Sequence, residues 1–160
     1  QHLSTRRQRQ MCIRDRTEYW NRPEATAETI VDGWLHTGDV ATMDEQGFVF
    51  IQDRIKDMII SGGENVYPAE IEGVLGAHPG ISEAAVIGQQ SERWGESPLA
   101  IVVKTDDALS ENDVLEYCNG KLARFKQPQS VVFVEQIPRN PSGKILKRVL
   151  REQFPDAAPT

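Results

Sequence analysis

Lys144 stands in a segment whose residue types disfavour regular structure and leave a cation exposed. Two prolines, a serine and a glycine lie within Pro138-Arg139-Asn140-Pro141-Ser142-Gly143-Lys144-Ile145. Proline fixes φ and removes an amide donor, and glycine and serine favour turns, so the segment is predicted to be a loop leading into a short amphipathic helix. Its lysine could contact a phosphate or a carboxylate; the alternative is a solvated lysine at a helix start. The segment is not a P-loop, because Pro138 stands where the leading glycine is required.

Three further stretches combine glycine or charge in ways that could serve binding. Gly38 lets the backbone bend before Asp39 and exposes a carboxylate suited to hydroxyl groups, although a simple turn aspartate is the alternative. Residues 53–57 carry four charges in five positions, as an exposed strand end or a linker between domains would. Gly62 and Gly63 lack Cβ atoms, so a backbone or a thin ligand could approach them; a flexible turn is the alternative.

The composition is that of an ordinary globular chain. The 160 residues are 39% hydrophobic with a mean hydropathy of -0.47, enough for one modest core or a small domain plus a piece of another. No apolar run approaches the roughly 20 residues that span a bilayer, and the first residues lack a signal-peptide pattern, so a cytoplasmic location is expected. The two cysteines and three histidines are scattered, and no metal site is predicted.

The charge is distributed unevenly. The formal net charge is -6, and residues 17–160 alone carry -10, which argues against nucleic acid as a general partner. Residues 120–151 nevertheless hold a local excess of basic side chains with Glu135 as the sole acid. Such a basic face points to a phosphate-bearing small ligand, with a solvated basic helix end as the alternative. The basic residues are Lys121, Arg124, Lys126, Arg139, Lys144, Lys147, Arg148 and Arg151.

Apolar patterning predicts a small α+β domain after Lys56. The predicted order is strand, helix, strand, strand, helix, strand, helix, with helices packed on a mixed or mostly antiparallel sheet. A helix starts at Pro68, and a capping-box-like start at Ser110 opens another. A short helix after Trp20 and a β-hairpin formed by residues 40–43 and 48–51 precede the domain. Strands are predicted at 58–60, 84–87, 99–103 and 131–134, and Ile145, Leu146, Val149, Leu150 and Phe154 form the apolar stripe of the last helix.

The two ends of the chain are excluded from the predicted fold. Residues 1–16 have no hydrophobic period, and the run Gln10-Met11-Cys12-Ile13-Arg14-Asp15-Arg16 resembles translated sequencing-adapter sequence. We expect them to be non-native or disordered. Residues 155–160 are expected to form a tail.

Four motifs in order carry a family resemblance. They are Trp34-Leu35-His36-Thr37-Gly38-Asp39, Asp53-Arg54-Ile55-Lys56-Asp57, Ser61-Gly62-Gly63-Glu64-Asn65-Val66-Tyr67-Pro68 with Glu70 and Glu72, and Pro141-Ser142-Gly143-Lys144. Over residues 17–154 they closely resemble the C-terminal part of the adenylate-forming superfamily, which comprises acyl-CoA synthetases, luciferases and peptide-synthetase adenylation domains. The resemblance implies that residues 17–55 end a large N-terminal domain in a β-hairpin and that residues 56–154 form a small mobile lid domain.

The resemblance also implies a role for each matching residue. Asp39 and Arg54 match the residues that bind the ribose of ATP and of the acyl-adenylate. Lys56 falls on the hinge. Gly62 and Gly63 match the loop beside the CoA channel, and Lys144 matches the catalytic lysine of adenylation.

The implied activity is that of an AMP-forming acid–thiol ligase using ATP, Mg²⁺ and CoA. The wording of the glycine motif resembles fatty-acyl members, so a fatty acid is the expected substrate; an aryl-acid or other carboxylate ligase, or a non-catalytic α+β binding module, is the alternative. The family's phosphate loop, acyl pocket and Mg²⁺ ligands match nothing here, so we expect a C-terminal fragment, inactive alone, whose partner is the missing N-terminal domain. The sequence does not specify which carboxylic acid is activated, what the oligomeric state is, or whether the acceptor is CoA or a carrier-protein thiol.

Overall fold

The computed structural model describes residues 18–155. The expectations for residues 1–16 and for nearly all of the 155–160 tail therefore lie outside the described residues. The chain forms two compact units, the first ending at Asp39 and the second beginning at Val40. The predicted domain boundary at Lys56 remains a prediction.

The described residues of the first unit, 18–39, contain one short helix and a minimal hairpin. Helix α1 spans Pro23–Thr29, with proline in its first turn, where the missing amide costs no helical hydrogen bond. Strands β1 (Ile30–Val31) and β2 (Trp34–Leu35) pair antiparallel. Their connection is Asp32-Gly33, and both residues have positive φ, as a tight two-residue hairpin turn requires. The sequence predicted the helix but not these two short strands.

The second unit begins with the predicted hairpin. Strand β3 (Asp39–Met43) pairs with β4 (Val49–Arg54), which confirms the prediction. In the connecting turn, Oδ1 of Asp44 accepts hydrogen bonds from the amides of Gln46 (3.0 Å) and Phe48 (2.8 Å). A short 3₁₀ helix, Ile55–Asp57, then leads to the main sheet.

A mixed five-stranded sheet forms the body of the second unit. Its strands are β5 (Ile59–Ser61), β6 (Glu64–Val66), β7 (Ile81–Ser91), β8 (Gly95–Lys104) and β9 (Ser130–Phe133). Strands β7 and β8 pair antiparallel from Ile81↔Lys104 to Ser91↔Gly95, and β9 pairs parallel with β8. Strand β5 joins β8 through Ser61↔Gly95, and β6 pairs antiparallel with β5.

Helices cover both faces of this sheet. Successive strand residues point to opposite faces, so Val86 joins one apolar cluster while Ala85 and Ile87 join another. The first cluster packs against α2 (Pro68–Gly76) and α3 (Glu111–Cys118), and the second against Leu150 of α4 (Lys147–Gln153). A second 3₁₀ helix, Arg124–Lys126, precedes β9. The arrangement confirms the predicted α+β class.

The structure differs from the predicted elements mainly in their lengths. Strands β7 and β8 extend past their apolar cores through residues 88–91 and 95–98, because ladder hydrogen bonding continues where the side-chain pattern becomes polar. Strand β6 was not predicted. The capping box at Ser110 is confirmed, since the Asp113 amide donates to Ser110 Oγ (3.3 Å) and the Ser110 amide donates to Asp113 Oδ2 (2.9 Å). Helix α4 begins at Lys147, after two of the residues assigned to its stripe.

Candidate functional site

The Lys144 loop is a tight turn organised by Asn140. Oδ1 of Asn140 accepts hydrogen bonds from the amide of Ser142 (3.1 Å), the hydroxyl of Ser142 (2.8 Å) and the amide of Lys144 (2.8 Å). The Asn140 amide donates to the Lys144 carbonyl at 2.9 Å. Gly143 has φ +83, a conformation that other residues adopt only with strain. The backbone of Lys144 is therefore fixed although the residue is exposed.

Arg139 ties the same turn to the sheet. Its Nη1 donates to the Gly143 carbonyl at 2.7 Å, and its Nη2 donates to Oε2 of Glu83 on β7 at 3.0 Å. The Leu146 amide also donates to the Pro138 carbonyl at 2.9 Å, closing the base of the turn. The loop is thus anchored near the Ile81 end of β7.

Acidic partners neutralise most of the basic side chains around Lys144. Within residues 18–155, the Lys144 ammonium itself forms no hydrogen bond or ion pair, so its charge is available to a ligand. Lys147 at the start of α4 lies 2.8 Å from Glu72 of α2, and Glu72 also accepts from the Val86 amide at 2.8 Å. The other pairs are Lys126–Glu70, Arg139–Glu83, Arg148–Glu152 and Arg151–Asp57. The basic face expected over residues 120–151 is consequently compensated in large part.

The glycine loop connects β5 and β6 and packs beside Trp94. Gly62 and Gly63 have φ values of +61 and +86. The Gly62 amide donates to the Trp94 carbonyl at 2.9 Å, and a Cβ at Gly62 would stand 3.0 Å from the indole ring. Nothing lies within 4 Å of a Cβ at Gly63. The sequence indicated the glycines but not Trp94, whose only signal was an aromatic residue inside a polar connection.

The glycine loop and the Lys144 loop lie toward opposite ends of β7. Ser61 and Ser91 are both register partners of Gly95, which places the glycine loop at the Ser91 end. The Lys144 loop is attached through Glu83, eight residues earlier on the strand. At about 3.3 Å per residue the two attachment points are about 26 Å apart. At this separation along the sheet the two loops do not form one site.

The segment around Lys56 is held by contacts that the sequence did not reveal. Nη2 of Arg151, on α4, donates to Asp57 Oδ1 at 2.7 Å and more weakly to the Lys56 carbonyl at 3.4 Å. On the other side of Lys56, Asp53 Oδ2 accepts from the Ala69 amide at 2.9 Å, at the N-terminus of α2. A cleft of about 310 Å³ lies here, with Lys56 in its lining. Lys56 itself is exposed.

The structure locates the two expected ribose-binding residues in different units. Asp39 closes the first unit, and its amide donates to Thr37 Oγ1 at 3.3 Å. Arg54 ends β4 in the second unit, and its amide donates to Asp53 Oδ1 at 2.7 Å. Residues 18–155 contain no group of three or more His, Cys, Asp or Glu side chains able to hold a metal ion.

Comparison with known proteins assigns the small domain to a family. Residues 70–144 match the model of the AMP-binding enzyme C-terminal domain. This stretch belongs to the AMP-binding enzyme C-terminal domain family. The long-chain-fatty-acid–CoA ligase FadD13 of Mycobacterium tuberculosis is 58% identical over 142 residues, which cover 89% of this chain and 28% of that protein. A 2-succinylbenzoate–CoA ligase of Bacillus cereus is 50% identical over 134 residues, covering 84% of this chain and 28% of that one.

A solved structure shows the same fold for this AMP-binding enzyme domain. ATP-bound MatB from Rhodopseudomonas palustris superposes with a TM-score of 0.80 at 44% identity, covering 88% of this chain and 28% of that one. The chain thus spans 28% of the length of these relatives. The family match covers residues 70–144 and therefore includes the turn formed by residues 140–144. No helix among residues 18–155 is both long enough and apolar enough to cross a membrane.

Proposed function

We propose that the chain is the C-terminal part of an ATP-dependent acyl-CoA synthetase that activates a fatty acid as acyl-AMP and transfers it to CoA. The observation that carries this proposal is the separation of two differently built loops along the sheet. The backbone of Lys144 is fixed toward one end of β7, and the glycine loop, with open space beside Gly63, lies toward the other end. A domain with this layout suits two successive steps better than one.

Lys144 serves the first step. A carboxylate oxygen of the acid attacks the α-phosphorus of ATP, the bond from phosphorus to the pyrophosphate oxygen breaks, and acyl-AMP and pyrophosphate result. Negative charge accumulates on the phosphate oxygens during the attack, and a cation already in position stabilises it without reorganisation. The Lys144 ammonium is free among the described residues, and its backbone is held on both sides by Asn140.

The glycine loop serves the second step. The CoA sulfur attacks the acyl carbonyl, the bond from that carbon to the AMP oxygen breaks, and the thiol proton passes to solvent. Gly62 and Gly63 carry no side chains, and space is open beside Gly63, so a thin pantetheine arm could pass. Asp39 and Arg54 hold the ribose hydroxyls of ATP and acyl-AMP in this proposal, with Asp39 as the acceptor.

Lys56 is the hinge about which the small domain rotates between the two steps. Arg151 binds both the Asp57 carboxylate and the Lys56 carbonyl, so the chain from this carbonyl onward moves with α4 and the sheet. Rotation is thereby restricted to bonds before the Lys56 carbonyl. The Asp53–Ala69 hydrogen bond crosses the hinge and must break when the small domain turns.

The identity of the substrate as a fatty acid is the more specific part of the proposal. It rests on FadD13, whose name states a long-chain fatty acid, whereas another relative is named for 2-succinylbenzoate. Aryl-acid ligation is therefore the alternative within the same chemistry. Measuring pyrophosphate release by the full-length protein with decanoate, palmitate, benzoate and 2-succinylbenzoate decides between them. Activity with the aryl acids alone would refute the fatty-acid assignment.

The experiment that tests the two-step layout compares two variants of the full-length protein in two half-reactions. Lys144→Ala should reduce acyl-AMP formation by about 100-fold or more, as loss of one preorganised electrostatic group does. Given presynthesised acyl-AMP and CoA, it should still form thioester at nearly the wild-type rate. Gly63→Leu should do the reverse, since its side chain would enter the space that is now open.

Arg148→Ala provides the matched control for Lys144→Ala. Arg148 is a neighbouring exposed cation, but it is paired with Glu152 within α4. Its removal should leave both half-reactions near wild type. Equal losses in both steps for both Lys144→Ala and Gly63→Leu would contradict the proposed alternation.

A further inference from the structure

Residues 18–155 contain a second turn built like the one that carries Lys144. In Asp44–Phe48 and in Asn140–Lys144, the amide of the first residue donates to the carbonyl of the fifth, and the carbonyl of the first accepts from the amide of the fourth. In both turns its side-chain oxygen accepts from the amides of the third and fifth residues. The fourth residue is a glycine with φ +81 in one turn and +83 in the other. The same local hydrogen bonding therefore serves two different purposes.

The two turns differ in what they present at the fifth position. The first presents Phe48 in the β3–β4 hairpin, and the second presents Lys144. In the second turn, side chains hold both polar atoms of the Gly143–Lys144 peptide: Asn140 Oδ1 accepts from the nitrogen at 2.8 Å, and Arg139 donates to the oxygen at 2.7 Å. This peptide sets the direction in which the lysine side chain leaves the backbone.

We propose that Asn140 is a positioning residue for Lys144 in acyl-AMP formation. This inference rests on the proposed function of Lys144. Asn140 itself touches no reacting atom; it acts by fixing the backbone from which the ammonium extends. A displacement of about 1 Å in a catalytic group can cost about 100-fold in rate, so the loss of three hydrogen bonds at this turn should be visible in catalysis.

The presence of asparagine rather than aspartate at position 140 also has a physical reason. In all three hydrogen bonds of the Asn140 side chain within the described residues, its oxygen is the acceptor. An aspartate could accept the same bonds, as Asp44 accepts the two amide bonds of its own turn. An aspartate would, however, add a carboxylate to the same five-residue turn as the Lys144 ammonium. That charge would attract the ammonium and repel the phosphates of ATP, an effect that solvent weakens at an exposed turn. Asparagine supplies the acceptor without the charge.

The test uses Asn140→Ala and Asn140→Asp in the full-length protein. Asn140→Ala should lower kcat for acyl-AMP formation by about 10- to 100-fold with little change in KM for ATP, because the fault is in positioning. Thioester formation from presynthesised acyl-AMP should stay within about twofold of wild type. Asn140→Asp should recover most of the adenylation rate, to within about threefold of wild type, because the acceptor oxygen remains.

Two further measurements separate positioning from general loss of structure. Hydrogen exchange of the Lys144 amide should accelerate in Asn140→Ala and remain slow in Asn140→Asp, since the amide bonds to this side chain. Asp44→Ala removes the equivalent side chain from the other turn and should leave both half-reactions near wild type.

Three results would overturn the inference. They are a wild-type adenylation rate in Asn140→Ala, an equal loss of both half-reactions in that variant, and an Asn140→Asp rate as low as that of Asn140→Ala. The Lys144→Ala variant shows whether such a result concerns Asn140 alone or also the proposed function. If Lys144→Ala forms acyl-AMP at the normal rate, the proposed role of Lys144 is wrong. If Lys144→Ala is impaired, only the proposed role of Asn140 is wrong.

Discussion

Gly62→Ala should destabilise the second unit through contact with Trp94. The added methyl group would stand 3.0 Å from Cε3 and 3.4 Å from Cζ3 of the indole ring, so the ring must move. Alanine in the left-handed region costs about 1–2 kcal/mol by itself. Overpacking adds about 1–3 kcal/mol, and the lower end applies because Trp94 is 42% exposed and can shift. We expect Gly62→Ala to lose about 2–3 kcal/mol of unfolding free energy in all.

A double-mutant cycle separates the contact from the backbone strain. Strain at position 62 is present with or without the indole ring, so it cancels when Gly62→Ala is compared in the wild-type and Trp94→Ala backgrounds. The expected coupling is about 1 kcal/mol, equal to the lower overpacking cost. Gly63→Ala is the matched control, because it also lies at positive φ but meets nothing within 4 Å. Its coupling to Trp94→Ala should be near zero.

Urea unfolding followed by far-UV circular dichroism measures these energies. This signal reports the backbone and is less affected than fluorescence by removal of a tryptophan. The midpoint and slope of each transition give the free energy of unfolding. If Gly62→Ala costs the same with and without Trp94, the close approach to the ring is not what requires glycine at position 62.

Two other predictions concern the ends of helices. Asp53→Ala should destabilise the second unit by about 1 kcal/mol, because the Asp53 carboxylate accepts from the Ala69 amide and Tyr67, the N-cap of α2, provides no side-chain acceptor. Asp53→Asn should preserve most of this stability, and a urea midpoint unchanged in Asp53→Ala would contradict the capping role. The second prediction concerns Asp113 in the first turn of α3. The hydrogen bond from the Ser110 side chain, and to a smaller extent the one from the Ser110 backbone, lower the pKa of Asp113 from its ordinary value of 3.8. Because the pKa of Asp113 is lower in the folded than in the unfolded protein, the ionised carboxylate stabilises the fold above about pH 4, and this stabilisation is lost as the pH falls through the folded pKa. The difference in Tm between wild type and Asp113→Asn should therefore shrink as the pH falls over that range. A Tm difference independent of pH between about pH 5 and pH 2 would show that ionised Asp113 does not matter.

The features that were predictable from the sequence depend on neighbouring residues. The loop before Lys144 was predicted from two prolines, a serine and a glycine. The structure added Asn140, whose side-chain oxygen accepts from the amides two and four positions later. The capping box at Ser110 is equally local, and apolar runs of strand length indicated the strands of the sheet. Each of these signals has a span of a few residues, so it is visible without knowledge of the fold.

The relation between the loops is decided by the tertiary structure. Arg151 reaches Asp57 across 94 positions, and Glu72 joins Lys147 across a similar span. Trp94 meets Gly62 only because β5 pairs with β8. Periodicities of 2 or 3.6 residues identify strands and helices but do not specify which elements pair. The family resemblance implied two separate roles for Lys144 and the glycine loop, but their attachment toward opposite ends of β7 required strand pairing and long-range side-chain contacts to be known.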